Sequence, residues 1–147
     1  MFQNVVPMLL DLWSCSGKWK TFGNKYEDYH LPADVWSSIG KACAASGNTI
    51  PAVFGCRVPN IAELRYQLSA ESRCLFATHV GPALLRNRFR FPRYYQHYIR
   101  LVRLINTCLD FEITRTGIEE VRNGFAQWVR DYERYVACTL SIHNLLT

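Results

Sequence analysis

Apolar residues recur at helical spacing along much of the chain, most clearly in its middle. From Pro92 onward, Tyr95, Tyr98, Ile99, Val102, Ile105 and Leu109 fall on one helix face. Pro92 suits a first helical turn, where its missing N–H is not needed. At about 100° per residue, Arg93, His97 and Arg100 fall on the opposite side. Arg86, Arg88 and Arg90 lead into this helix, interleaved with Phe89 and Phe91. The pattern predicts a central helix with one apolar and one basic face. A second clean run, Ile118, Val121, Phe125, Trp128, Tyr132 and Tyr135, predicts another amphipathic helix, opened by a capping box at Thr116-Gly-Ile-Glu119.

Shorter elements surround these two. Residues 5–13 read equally as a short helix or a buried extended piece, because periodicity cannot separate the two at that length. Residues 14–32 lack helical period and read as a loop, anchored to the body by Trp19, Phe22, Tyr26 and Tyr29. A helix is predicted over 33–46, with Asp34 in its positive first turn, an apolar stripe of Val35, Trp36, Ile39 and Cys43, and Gly47–Asn48 as the stop. Gly40 inside it implies a close-packed neighbour. The prolines at 51 and 59 make the following stretch an irregular crossing segment. Asn60 with Glu63 and Ser69 with Ser72 predict two further helix starts, the second helix ending at Gly81–Pro82. The terminal CTLSIHNLL is expected to add one or two helical turns. No run alternates with period two for long enough to predict a sheet. The fold class is therefore all-α, an irregular helical bundle with long aromatic-rich loops. Residues 1–32 are expected to be a loop-rich segment packed on a helical body of residues 33–147, one domain overall. The apolar opening and abrupt end suggest a fragment of a larger domain.

Composition narrows the function. The 147 residues are 49% apolar, enough for burial to offset chain entropy. The net charge of +5 permits contact with nucleic acid without requiring it. Its distribution says more, since no Asp or Glu occurs between Glu71 and Asp110. Six scattered cysteines without a C-x-x-C pair read as reduced thiols, several on apolar faces, rather than a disulfide framework. The start resembles neither a secretion signal nor a membrane span, because its apolar run is short and Pro7 interrupts it. An intracellular protein without membrane contact is expected.

The basic and aromatic stretch RNRFRFPRYY is the best candidate surface. Arginine neutralises phosphates and aromatic rings stack on exposed bases. The competing reading makes the aromatics core and pairs the arginines with acids such as Glu112, Glu119 and Glu120. Leu104, on the same side as the basic residues, favours a face partly covered by protein. Catalytic signatures are missing: there is no G-x-S-x-G, no P-loop and no G-x-G-x-x-G. His30, His79, His97 and His143 are too dispersed for a metal site, and Cys138 with His143 would need two further ligands. The carboxylate pairs lie one or two residues apart and would diverge on a helix. No catalytic, metal-binding or cofactor-binding residue is assigned.

Whole phrases nevertheless resemble a known family. LPADVWSSIGKACAASGNTIPAVFGCRVPNI, GPALLRNRF, YYQHYIRLVRLINTCLDFEI, GFAQWVRDYERY and LSIHNLL, in that order, are similar to one region of transposase-like proteins of fungal CACTA (En/Spm-type) DNA transposons. The resemblance runs from about Leu31 onward. It implies a helical accessory or insertion region downstream of the D-x-x-H part of a ribonuclease-H-like core. That core would hold Mg²⁺ in the parent enzyme, with this chain not catalytic alone. No D-x-x-H occurs here. The connection after Tyr135 is shorter than in the family, and the terminal phrase stops at Thr147, which implies a truncated remnant. Its expected partners are DNA, through Arg86, Arg88, Arg90, Arg93, Arg100 and Arg103, and the rest of a transposase or another subunit, in the nucleus. The alternative is a helical protein-interaction module whose basic face meets an acidic partner.

Overall fold

The computed structural model describes residues 4–49, 51, 53, 55–110 and 112–143, without the side chains of Phe22 and 136–143. Every regular element among them is helical, and the protein is all-α. Helix α1 spans Val5–Ser14 and α2 Ala33–Ser46; α3 spans Ile61–Leu64 and passes into a 3-10 turn at Arg65–Gln67. Helix α4 (Ala70–Leu75) continues through a π turn (Phe76–Val80) into α5 (Gly81–Leu84). Helices α6 (Pro92–Leu109) and α7 (Arg115–His143) complete the order. The chain forms two compact units, Met1–Phe91 and Pro92–Thr147.

In the first unit, α1 resolves the ambiguity of residues 5–13 in favour of helix. It buries Val6, Leu9, Leu10, Leu12 and Trp13, so the helix is enclosed on most sides. Asp11 is enclosed with them, only 1% exposed, and a carboxylate there must be met. Its Oδ1 accepts from Arg65 Nε at 3.0 Å and from the Tyr66 hydroxyl at 3.2 Å, while Oδ2 accepts from the Trp19 backbone N–H at 3.2 Å. Arg65 also donates to Ser16 Oγ. Gly17 sits at φ +85°, and a Cβ there would overlap the Tyr66 hydroxyl and both Asp11 oxygens. The carboxylate thereby ties α1, the start of the 15–30 loop and the turn after α3 together.

That loop is also held by Leu31 N–H donating to the Trp13 carbonyl at 2.7 Å. Tyr29 and Leu31 are buried and Trp19 is half-buried, as anchors should be, but Tyr26 is 79% exposed and anchors nothing. The proposed role of Phe22 falls on a side chain outside the described residues. Helix α2 has the predicted bounds and buries Trp36, Ile39, Gly40 and Cys43. Gly40 is explained as expected: a Cβ there would overlap Asn60 Oδ1 and crowd Ala62 Cβ. Asn60 caps α3 by accepting from Ala62 N–H at 3.0 Å, and Ser69 caps α4 by accepting from Ser72 N–H at 3.1 Å.

Some boundaries differ from the sequence reading. Gly81–Pro82 does not stop a helix; the π turn before it shifts the hydrogen-bond ladder where Pro82 offers no N–H. Helix α7 is capped by Thr114, whose Oγ1 accepts from Gly117 N–H at 3.0 Å, instead of by Thr116. The terminal stretch through His143 simply extends α7, and residues 144–147 lie outside the described ones.

In the second unit α6 and α7 form a hairpin. The buried side of α6 is Tyr94, His97, Tyr98, Leu101, Val102 and Ile105, a stripe rotated from the predicted one. Tyr95 and Ile99 are only half-buried, and Leu109 is 54% exposed. On α7, Trp128 is buried while Ile118 is exposed. Among the described cysteines all are free; Cys43 is buried, its thiol pushed up to about 12 by burial, whereas Cys108 is exposed rather than on an apolar face. Cys138 has no described side chain.

The Asp11 cluster makes a specific expectation. Asp11→Ala strands a buried guanidinium and should destabilise the fold by roughly 3–5 kcal/mol in urea unfolding followed by tryptophan fluorescence. Asp11→Leu combined with Arg65→Met should recover most of that loss, since it leaves no charge behind. Gly17→Ala should cost roughly 2–4 kcal/mol through backbone strain and overlap.

Candidate nucleic-acid interface

The basic stretch begins in the turn between α5 and α6. Leu85 and Phe89 are buried, with Phe89 set edge-on to Trp13 at 5.2 Å between ring centroids. Between these anchors the chain turns through Asn87 at φ 59°, and Arg88 N–H donates to the Leu85 carbonyl at 3.2 Å. Arg86 and Arg88, between the two anchors, are exposed, and their side chains have no ion pair or hydrogen bond among the described residues. Arg90 donates to Asp28 Oδ1 at 2.9 Å, with its guanidinium carbon 5.4 Å from the Phe91 ring centre. Arg90 is 73% exposed, so the pair contributes little to stability and can be exchanged for another anion.

The other three arginines belong to the second unit. Arg93 donates to the Tyr94 hydroxyl at 2.8 Å and lies over the Tyr94 and Tyr135 rings at 4.8 and 5.8 Å. Arg100 donates to Asp131 Oδ2 at 2.8 Å, and Gln127 donates to Asp131 Oδ1 at 3.0 Å. Arg100 therefore serves the hairpin, and its partner is Asp131 rather than the acids expected from sequence. Arg103 is exposed beside a cavity of about 280 Å³ lined by Leu104, Thr107, Glu120, Val121 and Trp128. Leu104 reaches Gly124 closely enough that a Cβ there would collide with it. Protein thus covers part of the α6 face that sequence patterning marks as basic.

His97 is the sharpest departure. Predicted on the polar side, it is 6% exposed and stacks on Trp128 with ring centroids 4.5 Å apart. Its Nε2 lies 3.0 Å from the Trp128 carbonyl as a donor, and the Trp128 indole N–H donates to the His97 carbonyl at 3.0 Å. Burial lowers the His97 pKa, with Arg100 pushing the same way against the Trp128 hydrogen bond and Asp131. For Asp131, burial pushes upward, but the hydrogen bonds from Gln127 and Arg100 and the charges of Arg100 and Arg134 outweigh it and hold the carboxyl below its usual range.

The 15–30 loop contributes cations that sequence reading passed over. Lys18 lies 5.2 Å over Trp19, and Lys25 lies 5.2 Å over Tyr26. The signal was present in GKWKTFGNKY, the same interleaving of basic and aromatic residues as RNRFRFPRYY. Sequence alone does not separate its exposed ring, Tyr26, from buried Tyr29. Among the described residues no three His, Cys, Asp or Glu side chains gather as metal ligands would, and no helix is long and apolar enough to cross a membrane. No protein-family model, curated protein or solved structure matches the chain.

The hairpin's histidine gives a pH dependence. Its folded pKa lies below the unfolded value near 6.5, so the unfolded chain takes up a proton first as pH falls. Its stabilising contribution is complete above about pH 6.5 and is lost as pH drops toward the folded value. Urea unfolding between pH 7 and 5 should show stability declining, and His97→Gln should flatten the decline. His30, which burial also lowers, contributes the residual slope with the same sign.

Proposed function

We propose that the chain is a helical accessory segment of a transposase-like protein that binds DNA phosphates through Arg86, Arg88 and Arg90, without catalytic activity of its own. The observation that carries the binding is the α5–α6 turn. Buried Leu85 and Phe89 fix its backbone, two arginines project with no partner among the described residues, and Arg90 holds only an exposed one. Such cations meet phosphates at little desolvation cost, and each contact releases counterions. Support for the transposase context comes from the ordered sequence phrases alone. Mg²⁺ would belong to the parent enzyme, and a nuclear location follows from DNA as the partner.

Of the six arginines, Arg100 is the poorest candidate for phosphate because Asp131 already neutralises it. A second reading, an interaction module for an acidic partner, draws its support from the cavity beside Arg103, where Leu104, Val121 and Trp128 offer apolar walls.

The test is fluorescence anisotropy with a labelled 20-base-pair duplex over a range of salt. Replacing Arg86, Arg88 and Arg90 together by Gln should weaken binding about tenfold or more at 0.1 M salt and reduce the salt slope by about 2–3. Arg100→Gln should lower the stability of the hairpin and leave the slope unchanged. Unaltered affinity in the triple variant rejects the turn as the DNA surface.

A further inference from the structure

We infer that the first unit binds single-stranded DNA, with Tyr26 and Phe91 stacking on unpaired bases while Lys25, Arg86, Arg88 and Arg90 contact the backbone; this rests on the DNA-binding reading above. Tyr26 is a large ring turned outward from a loop that is otherwise fixed. Its own N–H donates to Asn24 Oδ1 at 3.1 Å, and Glu27 and His30 N–H groups close the next turns on the Asn24 and Glu27 carbonyls at 3.1 and 3.0 Å. Tyr29, three residues on, is buried. The ring is therefore presented by a set backbone, and little loop entropy is lost when something stacks on it.

The Asp28–Arg90 pair brings this platform to the basic turn. Asp28 is two residues from Tyr26, at most about 7 Å of chain, and Arg90 adjoins Phe91. The ion pair thus joins the segments that carry Tyr26 and Phe91, each with a cation over a ring face. Phe91 is partly exposed, which leaves ring surface for a base. Paired bases in a duplex are stacked on each other and cannot reach these rings, whereas an unpaired strand offers both bases and phosphates. Charge favours the same ligand. Lys25, Arg86, Arg88 and Arg90 stand against Glu27 and Asp28, a modest surplus. A surface with that surplus gains from stacking what it lacks in phosphate contacts.

The experiment compares labelled dT20 with a 20-base-pair duplex, using the full chain. Wild-type protein should bind dT20 more tightly than the duplex. Tyr26→Ala should weaken dT20 binding about tenfold without changing the salt slope or duplex binding, and Tyr26→Phe should retain affinity because the ring remains. Phe91→Ala should act in the same direction, with its urea midpoint checked against wild type. The inference is overturned if Tyr26→Ala binds dT20 as wild type does, or if the duplex binds at least as tightly. If the arginine triple variant weakens both ligands while Tyr26→Ala weakens neither, phosphate binding stands and stacking falls. Absence of salt-dependent binding to either ligand rejects both.

Discussion

A carboxylate shut away from water sets the arrangement of the first unit. Asp11 at that depth needs donors on both oxygens, and they come from three places: the Arg65 guanidinium, the Tyr66 hydroxyl and the Trp19 backbone N–H. Two of the donors hold the short 3-10 turn after α3, and the third holds the loop after α1. Apart from one 3-10 turn at Lys20–Phe22, the loop after α1 has no helical ladder to hold it, and its path past Gly17 is set by what Asp11 demands. Tyr26 and Lys25, which that loop presents to solvent, stand between this cluster at one end of the loop and buried Tyr29 and Leu31 at the other.

The hairpin solves a related problem by different means. Two helices that bury His97 and Asp131 at their contact would do so at a loss unless each found a partner. His97 and Trp128 exchange hydrogen bonds with each other's main chain while their rings stack, and Arg100 and Gln127 share the Asp131 carboxylate. The interface is thereby polar and still satisfied. Residues that resemble a binding surface in one dimension are structural cement in three.

This sorting bears directly on function. Of six arginines grouped by sequence, Arg100 is committed to the hairpin, Arg93 leans on Tyr94 and Tyr135, and Arg86, Arg88 and Arg90 are exposed in the first unit, Arg90 with Asp28 as a partner. A surface made for holding a polyanion needs cations that are available, placed and not already neutralised. The α5–α6 turn meets those conditions because Leu85 and Phe89 are buried at its two ends while the arginines between them are exposed.

Local pattern determined much of this protein. The all-α class, the bounds of α2, the start of α6 at Pro92 and the caps at Asn60 and Ser69 all follow from interactions within a few residues, which sequence spacing reports; Gly40 marks a close neighbour without identifying it, because that neighbour, Asn60, lies far along the chain. The rotated stripe of α6, the burial of His97, the capture of Arg100 and the outward turn of Tyr26 do not follow from it. Periodicity tells which residues share a face but not which face a neighbour will cover. Only tertiary structure brought Asp11 to Arg65 across 54 residues and His97 to Trp128 across 31. The physical reason is that the free energy of a polar or aromatic side chain depends on whether water or a fitted partner surrounds it, and that partner is supplied by a distant part of the chain.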